Sequence, residues 1–145
     1  MAYATVQDMI ERFTEAELRA LAPAPAGATV SYAAATVERA LDDASAELDS
    51  YLAVKFPVPI AGGLPLLIKA ACDLAREALD RQGREPIRDA GKRARQWAKD
   101  VAACRATLGS GPDGDAEAVP PIEGGVQVLA PDSVFDGEAL EAFLR

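Results

Sequence analysis

Apolar residues recur along this chain at helical spacing, in blocks separated by proline and glycine. Val6, Met9, Ile10 and Phe13 fall on one face of a first short helix. Thr5 and Asp8 stand as a capping box, in which a hydroxyl and a carboxylate each satisfy a free amide of the first turn. Thr14 and Glu17 repeat that arrangement ahead of Leu18 and Leu21. The pattern therefore predicts two short helices with a bend near Thr14. The stretch APAPAG, residues 22–27, is a Pro/Ala linker with little capacity for helix.

The clearest element follows. Val37, Leu41, Ala44, Leu48, Tyr51 and Leu52 share a face from near Ala34 to near Val54, and Glu38, Asp42, Asp43, Glu47 and Asp49 occupy the other. Pro57 and Pro59 end it, because proline lacks the amide donor and clashes with the preceding turn. Pro65 then opens a further helix, where a missing amide is harmless. Its stripe is Leu67, Ile68, Ala71, Leu74, Ala75, Ala78 and Leu79. Gln82 to Glu85 is a tight link, and Pro86 opens the last long helix, with Ile87, Ala94, Trp97, Ala98, Val101 and Leu108 as its stripe. So short a link makes these two helices antiparallel neighbours.

After Leu108 the character changes. Residues 109–125, GSGPDGDAEAVPPIEGG, have the composition of a flexible acidic tether. Val126, Val128, Leu129, Phe135, Leu140 and Phe143 then restore apolar character. VQVL alternates weakly, as a short strand would, and the closing residues suit a terminal helix or docking peptide. The expected organisation is a helical domain over 1–108, a tether over 109–125 and a C-terminal docking arm over 126–145. The expected fold class is mainly α: an antiparallel bundle of about four helices with an extended C-terminal arm.

Composition sharpens this picture. The 145 residues suit one domain, and half are hydrophobic, though only 6% are aromatic. A core rich in alanine is built by helices in close contact. The balance is acidic, 23 acids against 15 bases, which argues against coating duplex DNA. From Arg81 to Arg105 there are eight bases and three acids; from Gly109 to Arg145 there are eight acids and one base. An acidic tail and a basic helix in one chain suggest that the tail seeks a basic surface, on a neighbouring copy or another protein. The opening residues lack the basic and apolar blocks of a secretory signal, and no stretch reaches a membrane span. Folding in a cytosol, with no membrane partner, is the expectation.

Chemistry is hard to build from these residues. Histidine is absent, which removes the commonest general base and the usual zinc sites. The cluster AGGLP lacks the lysine and serine of a phosphate loop. Asp42, Asp43, Glu47 and Asp49 can be read as a magnesium site or a carboxylate pair for hydrolysis, but a solvated helix face is the simpler reading. Arg88, Lys92, Arg95 and Lys99 lie on one side of the last long helix. They read as a solvated face, as a contact for an acidic protein surface, or, less readily, as a nucleic-acid site. Cys72 and Cys104 do not have metal or redox spacing. In a simple hairpin the residue facing Cys72 is near position 94, so Cys104 is displaced by about 15 Å along the axis. A disulfide needs α-carbons within roughly 7 Å, so both cysteines are expected as small core or semi-buried residues. No cofactor, no metal and no catalytic residue is assigned.

The order and spacing of several stretches resemble a family of Mu-like phage and prophage proteins. They are YATVQDMIERF, ALDDASAELDSYLAVKFPVPI, LPLLIKAACDLAREALD, RARQWAKDVAACRATL and the closing VLAPDSVFDGEALEAFL. Near Phe135 stand Asp132 and Ser133, where the family's closing segment has a basic or polar residue. The resemblance implies a structural, non-enzymatic virion protein: a head–tail connector, or adaptor, at the head–tail interface, present in host cytoplasm during assembly. It implies a ring of about twelve copies, closed by rotation, bound beneath the portal protein and meeting a tail-side connector or terminator protein. DNA would pass through its channel without specific binding. An acidic lining would avoid gripping phosphates, and Asp42, Asp43, Glu47 and Asp49 are the candidates for it. The partner-contact candidates are Arg88, Lys92, Arg95, Lys99 and the arm residues Val126, Val128, Leu129, Phe135, Leu140 and Phe143. Two other readings stay open: a small helical adaptor or regulatory protein that binds one soluble partner, and a carboxylate-dependent hydrolase.

Overall fold

A computed structural model describes residues 2–61 and 63–108. The tether and arm of the sequence reading, including its VQVL strand, lie outside the described residues. Those residues hold five helices: α1 (Val6–Phe13), α2 (Glu15–Leu21), α3 (Ala34–Leu52), α4 (Pro65–Leu79) and α5 (Glu85–Ala102). Among them there is no strand, only one antiparallel bridge between Pro23 and Tyr32 that closes the loop before α3. The mainly helical expectation is met.

The three long helices form the core. Glu47 of α3 meets Arg95 of α5, and four residues on in both helices Tyr51 meets Lys99. A common advance of four residues means that α3 and α5 run in the same direction. α4 contacts both, and its short link to α5 makes it run the opposite way. That link is held by the Asp80 carboxylate, which accepts from the Arg84 and Gln82 amides at 2.7 and 3.2 Å. Gly83, at φ +67°, supplies the left-handed turn that L side chains rarely adopt.

α4 is the most enclosed element. Ala70, Ala71, Cys72, Leu74 and Ala75 are buried on successive faces of a helix that packs against α1, α3 and α5. Small side chains allow this, because they let helix backbones approach closely. Gly91 of α5 shows the limit: a Cβ there would stand 1.9 Å from Glu77 Oε2. Leu41, Leu48, Leu52, Leu67 and Val101 fill the centre, and burying each stabilises the fold by roughly 1.5–3 kcal/mol relative to exposure. Trp97, expected in the α5 stripe, packs on the core but stays partly exposed.

The N-terminal helices lie on this core. At α1 the capping box closes as expected, with the Asp8 amide donating to Thr5 Oγ1 and the Thr5 amide to Asp8 Oδ2. At α2 it does not. Thr14 caps no amide with its side chain, its backbone is at φ 69°, and Glu17 faces Arg76 instead. The expected second box is thus replaced by a tertiary ion pair. Cys72 is buried as expected, whereas Cys104 is exposed. Cys104 lies beyond the end of α5, where no neighbouring helix covers it.

Candidate functional site

The charged residues singled out in the sequence fall into two sets. On α5, Arg88, Lys92 and Lys99 are exposed along one side. Lys92 pairs with Asp89 on its own helix at 3.0 Å, and the Lys99 ammonium stands over the Tyr51 ring at 5.6 Å. Arg88 has no ion pair among the described residues. Arg95 turns inward. Its guanidinium reaches Glu47 of α3 and Glu77 of α4, each at 2.6 Å. The hydrogen bond to Glu47, ahead of that to Glu77, holds its pKa above the ordinary arginine value despite partial burial. One arginine therefore ties the three long helices together at a half-buried seam, so Arg95 is already engaged within its own bundle.

The four acids of α3 divide in the same way. Asp42 and Asp43 are exposed with no ion pair among the described residues. Glu47 is taken by Arg95. Asp49 accepts a short hydrogen bond from the Tyr3 hydroxyl. That hydroxyl in turn accepts from the Ile60 amide at 3.0 Å, and the Tyr3 amide donates to Ser45 Oγ at 2.9 Å. Burial, then the bond to Asp49, pushes the Tyr3 phenol up to about 12. The partner-contact candidates Val126, Val128, Leu129, Phe135, Leu140 and Phe143 lie outside the described residues.

No cluster of three or more potential metal ligands occurs among the described residues. Every buried side-chain nitrogen or oxygen among them has a hydrogen-bond partner. Two cavities are lined by described residues. One of about 470 Å³ lies between the start of α1 and α3, beside Val6, Glu38, Leu41 and Asp42. Another of about 230 Å³ lies beside Leu21, Pro23, Leu79 and Arg81. Neither gathers residues with the convergent chemistry that binds a small ligand firmly. No helix among the described residues is long and apolar enough to cross a membrane.

The sequence reading missed one surface. Val54, Val58 and Leu66 are exposed, at 69%, 37% and 46%, around the connection from α3 to α4. The signal was present in AVKFPVPIAGGLPLL, which carries more apolar residues than a solvated link needs.

A small helical bundle with charged side faces and one apolar end is the class of protein these observations define. The chain belongs to the family described as Bacteriophage Mu, Gp36, which matches residues 3–128. It is also 42% identical over 72 residues to Gene product J of Escherichia phage Mu. That match spans half of this chain and half of the relative. This is a Mu-like phage protein.

Proposed function

We propose that this protein is a structural subunit of the phage particle, a head–tail connector without enzymatic activity. Membership of the Mu Gp36 family across residues 3–128 carries the reading. In it, copies form a ring beneath the portal protein, meet a tail-side connector or terminator on the other side, and leave a channel for DNA. Physical features support the reading. A connector needs rigid elements that hold their shape while contacts form around them, and Arg95 with Glu47 and Glu77 cross-links the three long helices. It needs charged surfaces that select and orient neighbours, a task in which electrostatics contributes more to specificity than to affinity. Arg88 and Lys92 on one helix, with Asp42 and Asp43 on another, supply opposite signs. Asp42 and Asp43 are also the better channel candidates, because Glu47 and Asp49 are engaged within the bundle.

The test is genetic and structural together. Removing the gene should leave filled heads and free tails that fail to join, and the purified protein should add mass to isolated portal in native mass spectrometry. Normal yields of joined particles without the gene would overturn the proposal. Binding to a soluble host or phage protein, with none to portal, would favour the regulatory adaptor.

A further inference from the structure

The bundle has one end unlike the rest of its surface. Because α3 and α5 run in the same direction, the last turns of both and the first turn of α4 lie together. The connection from Ala53 to Leu64 crosses this end. Three of the four large hydrophobic residues exposed among the described residues are here: Val54, Val58 and Leu66. Pro57, Pro59 and Ala61 beside them are exposed as well. Single exposed apolar residues are ordinary, but a group gathered at one end calls for a cover.

α5, the last helix before the chain leaves the described fold, ends at Ala102 at this same end. Leu108, six residues past Ala102, is buried against the core. A further 37 residues follow it. The first 17 of them, residues 109–125, are rich in glycine, proline and acid; a chain of that length and make-up spans about 20–25 Å. Helices are about 10 Å across, so this reach covers the end of a three-helix bundle. Residues 126–144 then bring Val126, Val128, Leu129, Phe135, Leu140 and Phe143 with four acids and no base. Lys55 follows Val54 in the connection and Lys99 stands over Tyr51 in the last turn of α3, neither in an ion pair among the described residues. Apolar content, charge sign and tether length all match. A tether this short holds a segment at millimolar effective concentration, which favours its own copy over another.

We propose that in the free subunit residues 126–144 fold back and cover Val54, Val58 and Leu66 of the same copy. The inference goes beyond the connector reading and does not depend on it.

The test uses the full chain with a photoreactive phenylalanine analogue in place of Val58. Irradiation of the dilute protein should give an adduct of monomer mass whose cross-linked peptide lies within residues 126–144. Combining Phe135→Ser with Phe143→Ser should remove most of that adduct while the helical circular dichroism stays unchanged. The same probe at Leu66, on α4 itself, serves as the second placement if the connection is disturbed by the first. Adducts that map elsewhere, or loss of the probe to solvent alone, would overturn the proposal. So would an adduct to residues 126–144 found only at dimer mass, which would mean that the arm covers a second copy.

Discussion

Helices α1 and α2 begin with nearly the same local sequence and end up differently held. Thr5 and Asp8 form a closed capping box. Thr14 and Glu17 have the same spacing and a longer acid, yet the hydroxyl caps nothing. The difference is a competitor. Asp8 is in no ion pair among the described residues, whereas Glu17 is met by Arg76 of α4 at 2.5 Å and by Arg84 at 3.9 Å. Arg76 also stands 4.4 Å from the Phe13 ring centroid. A charged partner at a partly buried position outweighs a capping bond, which is worth about 1 kcal/mol. Local signals decide where a helix can start; tertiary charges decide which of its side chains stay home.

The comparison breaks most visibly at Arg76. Arg76→Ala removes the nearer partner of Glu17 and the cation over Phe13 together, and leaves a carboxylate only about a fifth exposed with Arg84 at 3.9 Å. A loss of about 2–3 kcal/mol is expected in urea unfolding, between the surface and fully buried cases. Adding Glu17→Gln should recover part of it, because the carboxylate, left with only the longer contact to Arg84, is gone. No recovery would mean that the Phe13 contact carries the effect.

Thr5→Ala opens the box that does form and should cost about 1 kcal/mol. The measurement is the same, and a loss equal to that of Thr14→Ala would erase the distinction between the two helices.

Tyr3, just ahead of Thr5, anchors α1 to α3 and to the α3–α4 connection, and the pH dependence of its contribution is confined to alkaline pH. Burial and the bond to Asp49 keep the folded phenol protonated from its ordinary value of 10.0 up to about 12. The unfolded chain loses that proton first, so stability falls as pH rises through this window. The contribution is complete below pH 10 and lost towards pH 12. Allowing for solvent screening at a half-buried site, it amounts to about 1 kcal/mol. Tyr3→Phe should therefore be less stable than the parent at pH 8, and that gap should close by pH 12. A constant gap would show that the phenol does not titrate in this way.

The smallest effect should have the opposite sign. Thr14 adopts φ 69° and ψ 152°, a region that branched side chains avoid. With no cap to lose, Thr14→Gly should stabilise by about 0.5 kcal/mol, as glycine relieves the strain but adds freedom to the unfolded chain. A loss of stability would show that the hydroxyl does more than its hydrogen bonds suggest.

Much of the fold was legible in the residues themselves. Pro65 marked the start of α4 at its first residue, and the stripe from Val37 to Leu52 traced α3, which ends at Leu52 rather than near Val54. Proline, glycine and apolar periodicity act within a few residues, so they can be read from a few residues. The charged stripes were also visible, but not their fates. Arg88, Lys92, Arg95 and Lys99 look alike on a helical wheel, and only packing turns Arg95 to Glu47 and Glu77.

By itself, then, the sequence determined the helices, the breaks between them, the first capping box and the resemblance to Mu-like phage proteins. Each rests on interactions between near neighbours or on the order of residues. Tertiary structure alone decided that Glu17 abandons Thr14 for Arg76, that Tyr3 bridges Ser45, Asp49 and Ile60, and that Cys104 is exposed while Cys72 is buried. It also decided that Val54, Val58 and Leu66 stay exposed around the α3–α4 connection. These pairings join residues 42 to 59 positions apart in the hydrogen-bonded cases. Only the common direction of α3 and α5 and the enclosure of α4 bring such positions within a few ångströms, where charge and burial can choose between partners.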